Sequence, residues 1–232
     1  MKTTVSHMAW LALLATLTVS AAEQNYVTSF DGSENPLFEA GAWIHTGLDW
    51  AKVVKINGVA YGTQTGSNGY DDSYAILSGY PPDQSASAVA HRDPAIDLSC
   101  SREVEILMRW EESTHNARGY ECGFSFNRNA AAITRWNGPL GSFNELGIAA
   151  VPTLKDGDNL SCSIVGNVIT MYVNSAQVLQ VTDSAWAAGN PGVGFFRRAC
   201  GTNSQLGFTS FTATGTGVPN PSPNPPTNVT VQ

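Results

Sequence analysis

The segment REVEILMRWEE is the strongest candidate for chemistry, because it carries two carboxylates within one β-type pattern. In a strand, alternation places Glu103, Glu105, Leu107 and Arg109 on one face, with about 7 Å between the two glutamates. Two carboxylates at this separation suit the acid and the nucleophile or base of glycoside hydrolysis. We prefer the alternative that this is an acidic polar face paired with Arg109, or with Arg135 on a neighbouring strand. We therefore assign no catalytic residue, and if the chain is an enzyme Glu103, Glu105 and Arg109 carry the reaction.

Aromatic residues between positions 43 and 80 form a second lead. Sugar rings stack on Trp and Tyr, while polar neighbours bind the hydroxyl groups. The segments AWIHTGLDW, SNGYDDSY and SGYPPDQ mix aromatic residues with Gly, Asn, Asp, Gln and Thr, which is typical of solvated loops. A single ring is explained as well by a place in the core. We predict a carbohydrate surface whose first four members are partly exposed on one rim: Trp43, Trp50, Tyr70, Tyr80, Gln84 and Trp136.

Two acidic loops offer ligands for calcium, which takes several oxygen atoms at about 2.3–2.6 Å. GYDDSY contributes Asp71 and Asp72, and KDGDN contributes Asp156 and Asp158. Neither loop matches the EF-hand, and Asp is also favoured where a turn begins. Asp71 and Asp72 are the candidate ligands, and calcium is the only cofactor that the sequence suggests.

The four cysteines suggest two disulfides, for which three pairings are possible. Their spacing does not match a zinc site. Alternation places Cys122 on a face with Phe124 and Cys162 on a face with Leu160, so both point inward. This favours the pairs Cys122–Cys162 and Cys100–Cys200, with buried free thiols as the alternative.

Residues 26–213 read as all-β, because short apolar runs alternate with Gly, Asn, Asp and Pro and show no helical period. One of the predicted strands is Ala42–His45. So many short strands require two packed sheets or a closed barrel, since each apolar face needs a partner.

The segment NLSCSIVGNVITMYVN predicts a hairpin whose register can be read directly. Gly166–Asn167 suits a type II′ turn, which needs glycine at its first central position. Beyond Asn174 the alternation is irregular, which predicts a bulge or burial on both faces. The apolar face of the hairpin pairs Leu160 with Val173, Cys162 with Met171 and Ile164 with Ile169.

Residues 102–213 resemble the laminin-G-like branch of the concanavalin A-like lectin/glucanase superfamily. The resemblance rests on REVEILMRW, RGYECGFSF, LKDGDNLSCSIVGNVITMYVN, VTDSAWAAGNPGVGFF and LGFTSFTAT. It implies a two-sheet antiparallel jelly-roll sandwich with paired N- and C-terminal strands. It does not imply one function, because the superfamily includes lectins, glycoside hydrolases, polysaccharide lyases and adhesion modules.

Two enzymatic branches of the superfamily match incompletely. Its β-glucanases carry Glu-x-Asp-x-(x)-Glu, but here the middle acid is Glu105 and Leu107 follows on that face. Its alginate-type lyases carry Arg-x-Glu-x-Arg and Tyr-x-Lys-Ala-Gly strands, which this chain does not complete. A lyase also needs a base and an acid. No spacing connects the remaining candidates for those roles, which are His45, His91, His115 and Tyr120.

The chain ends predict export and a multidomain protein. Residues 1–22 have a basic start, an apolar run and small residues before Glu23, as in a signal peptide. Residues 23–216 form the predicted sandwich, 217–226 a Pro-rich linker, and 227–232 the start of a fibronectin type III-like module. The formal net charge of −7, with no basic run, argues against nucleic acid and anionic membranes as partners.

These observations predict a secreted, non-catalytic module that binds a carbohydrate or acts in adhesion. The predicted ligand is a glycan, with a protein partner as a further possibility. The alternatives are a polysaccharide-degrading enzyme acting across the concave sheet, and a structural spacer. The enzyme predicts a groove over the acidic strand and an acid of raised pKa.

Overall fold

The computed structural model describes residues 23–45, 49–67, 69, 71–198 and 200–217. The signal-peptide, linker and fibronectin-like predictions therefore fall outside the described residues, apart from Gly217. Two three-residue 3₁₀ turns occur, at Glu39–Gly41 and Asn203–Gln205. No helix among the described residues has the length and apolar character needed to cross a membrane. The strands within this part of the chain are β1 (Gln24–Thr28), β2 (Ala51–Ile56), β3 (Val59–Gly62), β4 (Ser73–Ile76), β5 (Asp83–Arg92), β6 (Ser101–Ser113), β7 (Asn116–Ser125), β8 (Ala130–Gly138), β9 (Phe143–Ala150), β10 (Asn159–Val165), β11 (Val168–Val173), β12 (Ala176–Thr182), β13 (Asn190–Arg198) and β14 (Leu206–Thr216).

The strands form two sheets that pack face to face as a jelly-roll sandwich. Sheet A has the order β12-β11-β10-β5-β14-β3-β2, and β1 pairs with β14. Sheet B has the order β4-β13-β6-β7-β8-β9. A short parallel pairing of β2 with β4 joins the sheets at one edge, and the other pairings are antiparallel. The all-β prediction and the pairing of the first strand with the last are confirmed.

Side chains that alternate along the strands build the core between the sheets. Val104, Ile106 and Met108 of β6 are fully buried in it, as are Phe124 of β7 and Leu160 of β10. The alternating apolar side chains of β6, β7 and β10 therefore form the contact between the sheets, which buries apolar area from both. The predicted hairpin register of β10 and β11 is confirmed, and the irregularity appears as a register shift between Met171 and Tyr172.

Two disulfides fasten this core. Cys122 of β7 is bonded to Cys162 of β10, so this bond crosses from sheet B to sheet A. Cys100, just before β6, is bonded to Cys200, just after β13. These are the pairs that alternation favoured.

The predicted strand Ala42–His45 is wrong. The chain there follows the turn at Glu39–Gly41 and makes a single bridge between Ile44 and Ile76. Trp43 explains the error. Its apolar side chain made the segment resemble a strand, but the residue reaches the core from a turn.

A bulge in β6 also changes the predicted alternation. Arg109 has φ +46°, and the pairing with β7 shifts between Met108 and Glu111. A bulge reverses the faces that follow it. Strict alternation from Met108 would place Trp110 on the core face. The bulge instead places it in an aromatic cluster with Leu107. Arg109 bonds the carbonyl oxygens of Pro82, Trp186 and Gly166, so it does not share a site with the two glutamates.

Candidate functional site: the acidic cleft

The face of sheet B that points away from the core carries a group of carboxyls. Glu103 and Glu105 come from β6, and Glu121 comes from β7, where it lies directly opposite Leu107. One carboxylate oxygen from each of the three lies within 4.8 Å of the other two. We call these three residues the carboxyl triad. The sequence prediction of Glu103 and Glu105 as neighbours on one face is therefore supplemented by a third acid.

Sequence reasoning missed Glu121. Alternation in β7 contained a usable signal, since Tyr120 and Cys122 point into the core and Glu121 must point away from it. The missing information was the register between β6 and β7, which brings Glu121 beside Glu105. That register depends on contacts between strands and is not written in either strand alone.

Two glycines make room for the central carboxyl. Glu105 is paired with Gly194 of β13 on one side and with Gly123 of β7 on the other. A Cβ atom on Gly194 would lie 2.1 Å from Glu105 Oε2. A Cβ atom on Gly123 would lie 3.3 Å from Glu121 Oε1 and 3.4 Å from Glu105 Cγ. The carboxyl of Glu105 therefore occupies space that any other residue at position 194 would fill.

The acids around Glu105 have partners, and Glu105 Oε2 lacks one. Trp136 Nε1 donates to Glu121 Oε2 at 2.8 Å, and the Tyr74 hydroxyl donates to Asp72 Oδ2 at 3.2 Å. Glu105 is only 1% exposed, and its Oε2 is buried with no hydrogen-bond partner among the described residues. Buried polar atoms are normally satisfied, so this one calls for an explanation.

Burial and mutual repulsion favour the protonated form of the acids in the cleft. Burial raises the pKa of Glu121 to about 8, and repulsion from Glu103 adds to the effect. Burial raises the pKa of Asp72 to about 7, against a hydrogen bond from Tyr74 that lowers it. The pKa of Glu105 is raised well above its ordinary value, by burial and then by Glu121 and Glu103. Burial also raises the pKa of Glu103, partly offset by a hydrogen bond with Ser125.

The triad lies in a cleft of about 380 Å³ that also contains Asp72. One wall is apolar: Phe143 is 52% exposed, Leu140 is 37% exposed, and Trp136 lies behind them. The rings of Phe143 and Trp136 are 5.4 Å apart. The cleft thus combines an exposed ring with carboxyl oxygens, the two kinds of group that bind a sugar face and its hydroxyls. We call this site the acidic cleft.

Charged side chains also line the acidic cleft. Arg128 forms a salt bridge with Glu145 at 2.6 Å. Arg198 lies over the ring of Phe196, with its guanidinium carbon 5.6 Å from the ring centroid. Both arginines and both of their partners belong to the lining.

The predicted exposed aromatic rim is wrong. Trp43, Trp50 and Tyr80 are 2%, 4% and 1% exposed. Trp43 and Tyr80 lie in the core between the sheets, and Trp50 packs against the ring of Trp136 in the aromatic cluster on sheet B. Burying such large apolar surfaces outweighs leaving them in solvent, even where the neighbouring sequence is polar. Tyr70 lies outside the described residues.

The other predicted ligand-binding residues divide between structure and cleft. Gln84 is buried, donates to the carbonyl oxygens of Pro81 and Gly189, and accepts from the Arg109 backbone N–H. It therefore holds loops together. Trp136 is 6% exposed but lines the acidic cleft. Among the predicted aromatic residues that the structure describes, it is the one that lines this cleft.

The two predicted calcium ligands have different roles. Asp71 accepts hydrogen bonds from the backbone N–H groups of Thr65 and Gly66, both at 2.6 Å, so it shapes a turn. Asp72 points towards Tyr74, and both aspartates contribute to the lining of the acidic cleft. An acidic group with the geometry of a metal site exists, but its members are the carboxyl triad.

The residues that a lyase would recruit are dispersed. His45 bonds the carbonyl oxygens of Leu37 and Tyr74, His115 contacts Asp49, and the Tyr120 hydroxyl donates to Asp183. His91 contacts Asp156. None of these four lines the acidic cleft.

Comparison with known proteins relates the chain to others by fold. No protein-family model matches the sequence, and no curated protein matches it. The carbohydrate-binding module CBM66 from Bacillus subtilis superposes with a TM-score of 0.52 and 12% identity, covering 75% of this chain and 92% of that one. Porphyranase B from Zobellia galactanivorans gives 0.53 and 9%, covering 84% and 94%. The Ca²⁺-bound exoplasmic/lumenal domain of VIP36 gives 0.57 and 7%, covering 81% and 90%.

These solved structures include a binding module and an enzyme that share one architecture. Similarity to them therefore indicates the fold of this chain, whereas its function has to be inferred from the site. The described part of the chain therefore has the fold of these structures, a two-sheet jelly-roll sandwich.

Proposed function

We propose that the acidic cleft binds a carbohydrate and that the chain is a non-catalytic module of an exported protein. The observation that carries the proposal is the half-exposed ring of Phe143 beside the carboxyl triad in one cleft. A sugar ring can stack on Phe143 while its hydroxyls donate to carboxyl oxygens. The solved structures of similar fold support it, since one is a carbohydrate-binding module and another is a porphyranase.

The geometry of the triad favours binding over cleavage. Hydrolysis places two carboxyls on opposite sides of the glycosidic bond, about 5–5.5 Å apart in retaining enzymes and about 6.5–9.5 Å apart in inverting ones. In the triad, one oxygen from each of Glu103, Glu105 and Glu121 lies within 4.8 Å of the other two, so the three carboxyls form one cluster on the cleft floor. Glu105 is 1% exposed, which leaves almost no surface for contact with a substrate atom.

The test compares two exposed apolar side chains. Phe143→Ala removes the ring from the acidic cleft, whereas Val165→Ala truncates a residue that is 62% exposed in the β10–β11 hairpin. Wild-type protein and both variants are applied to a glycan array, and the affinity for each bound glycan is measured by calorimetry. Because aromatic stacking contributes about 1 kcal/mol, we expect Phe143→Ala to weaken binding about fivefold and Val165→Ala to leave it unchanged. Equal affinity in the two variants would exclude the cleft.

Export and a multidomain arrangement belong to this proposal. Two disulfides support export, because such bonds persist in oxidising compartments. We propose that residues 1–22 are a signal peptide and that 217–226 link the sandwich to a module starting at 227–232. N-terminal sequencing of the protein secreted by its own host tests the first point, with Glu23 or Ala22 as the expected first residue.

Glycoside hydrolysis is the second candidate, and the raised pKa values in the cleft favour it. A general acid must hold its proton near neutral pH, which the raised pKa of Glu105 and the pKa of about 8 for Glu121 would allow. Glu103 would then be the nucleophile or base. Release of reducing ends from plant and algal polysaccharides, abolished by Glu103→Gln, would support this candidate. Binding without turnover would reject it.

A further inference from the structure

We infer that the carboxyl triad binds a divalent cation of the calcium class at the floor of the acidic cleft. The three contributing oxygens lie within 4.8 Å of one another. For three such points, some position lies no more than about 2.8 Å from all of them, close to the 2.3–2.6 Å at which Ca²⁺ binds oxygen. One ion can therefore contact Glu103, Glu105 and Glu121 together after small movements of their side chains.

The unpartnered oxygen of Glu105 points independently to a ligand. Glu105 is 1% exposed, lines the acidic cleft, and has no hydrogen-bond partner for Oε2 among the described residues. A buried carboxylate without a partner is costly, and a metal ion is one of the partners that remove this cost. Gly194 and Gly123 keep open the space that this carboxyl occupies. A small apolar residue at position 105 would leave no polar atom unsatisfied. The chain instead has a glutamate there, and its two neighbouring strands leave room for it.

The charged side chains of the cleft do not supply that partner. Arg128 is paired with Glu145, and Arg198 is stacked on Phe196. Among the ion pairs of the described residues, none joins a lysine, arginine or histidine to the triad. When the triad is ionised, a cation from solution is left as the counter-charge.

The donor set indicates the class of ion. Three carboxylates, with no imidazole or thiolate, suit hard cations such as Ca²⁺, Mg²⁺ or Mn²⁺ and do not suit Zn²⁺. The Trp136 indole, which donates to Glu121 Oε2, orients one of the ligands. Calcium takes six to eight oxygens, so its remaining positions would face the cleft. Sugar hydroxyls would fill those positions, and this part of the inference rests on the proposed function.

Terbium luminescence tests the site directly. Tb³⁺ replaces Ca²⁺ at oxygen sites, and an ion bound to Glu121 would lie near the Trp136 indole, whose excitation sensitises Tb³⁺ emission. The full chain is titrated with Tb³⁺ and then with Ca²⁺. We expect saturable emission that Ca²⁺ displaces. Glu105→Gln should weaken Tb³⁺ binding at least tenfold, whereas Glu111→Gln, at a surface residue that pairs with Arg118 outside the cleft lining, should change it less than twofold.

Two results would overturn the inference: no saturable emission from the wild-type protein, or equal Tb³⁺ affinity in Glu105→Gln and Glu111→Gln. If Glu105→Gln does not fold, Glu103→Gln at a partly exposed position replaces it, with the same expectation. Glycan binding is measured on the same samples with Ca²⁺ and with EDTA. Glycan binding without a cation signal rejects the cation alone, and a cation signal without glycan binding rejects only the proposed function.

Discussion

The residues paired with Glu105 on both adjacent strands leave space for its side chain. Its partners across both adjacent strands are glycines, although glycine in a strand gives up side-chain packing and weakens the strand. The close approach of Glu105 Oε2 to Gly194 explains why that loss is tolerated on the β13 side. The buried acid and the glycines therefore form one local unit.

The first prediction addresses this unit. Gly194→Ala places a methyl group where Glu105 Oε2 lies, so we expect the free energy of unfolding to fall by about 1–3 kcal/mol, as in other overpacked sites. In a Glu105→Ala background the conflict with the carboxyl is gone and the cost should be smaller. Urea denaturation of the four proteins of this cycle measures the coupling. Identical costs in both backgrounds would mean that the carboxyl does not occupy that space.

At the scale of the elements, the bulge in β6 determines which side chains meet. Arg109 adopts φ +46°, which is unusual for a residue other than glycine, and its guanidinium is buried among backbone carbonyl oxygens. The three carbonyl oxygens belong to Pro82, Gly166 and Trp186, in three separate loops. The bulge thus interrupts strand pairing and lets Arg109 connect these three loops. We call this set of contacts the loop junction.

The second prediction tests this junction. Lysine cannot reproduce the planar array of donors that Arg109 uses, so Arg109→Lys leaves buried carbonyl oxygens without partners. We expect a loss of about 2 kcal/mol or more in the free energy of unfolding. Arg118→Lys is the control, since Arg118 is 44% exposed and pairs with Glu111 on the surface. That change should cost about 1 kcal/mol at most. Equal losses would show that the junction contributes little.

At the scale of the whole molecule, the acidic cleft makes stability depend on pH. Folding raises the pKa of Asp72 to about 7 and that of Glu121 to about 8. Above the ordinary pKa of these acids, the folded chain binds protons that the unfolded chain has released, so stability falls as pH rises through the folded pKa values. His45 acts in the opposite direction up to about pH 6.5, because burial lowers its pKa.

The third prediction follows for pH 6.5–8.5, where His45 no longer contributes. In EDTA, the Tm of the wild-type protein should fall with increasing pH over this interval. Glu121→Gln should give a shallower decrease, since it removes one of the groups responsible. Glu111→Gln on the surface should retain the wild-type slope. Thermal unfolding followed by circular dichroism measures all three proteins, and parallel slopes for wild type and Glu121→Gln would contradict the assignment.

The local features of this protein could be predicted from its sequence. Alternation identified which side chains of β6, β7 and β10 face the core, the glycine of the Gly166–Asn167 turn predicted the hairpin register, and the inward direction of Cys122 and Cys162 favoured their pairing. These features are readable because side chains two residues apart share a face whatever else the chain does.

The groups on the outer face of sheet B, in contrast, depend on contacts between strands. Glu121 joins Glu103 and Glu105 through the register of β6 against β7, and the bulge at Arg109 removes that arginine from the acids. The burial of Trp43, Trp50 and Tyr80 was likewise invisible in their polar surroundings. The physical reason is that a pattern within one strand specifies a face, whereas its neighbours and its exposure depend on contacts between residues far apart in the chain.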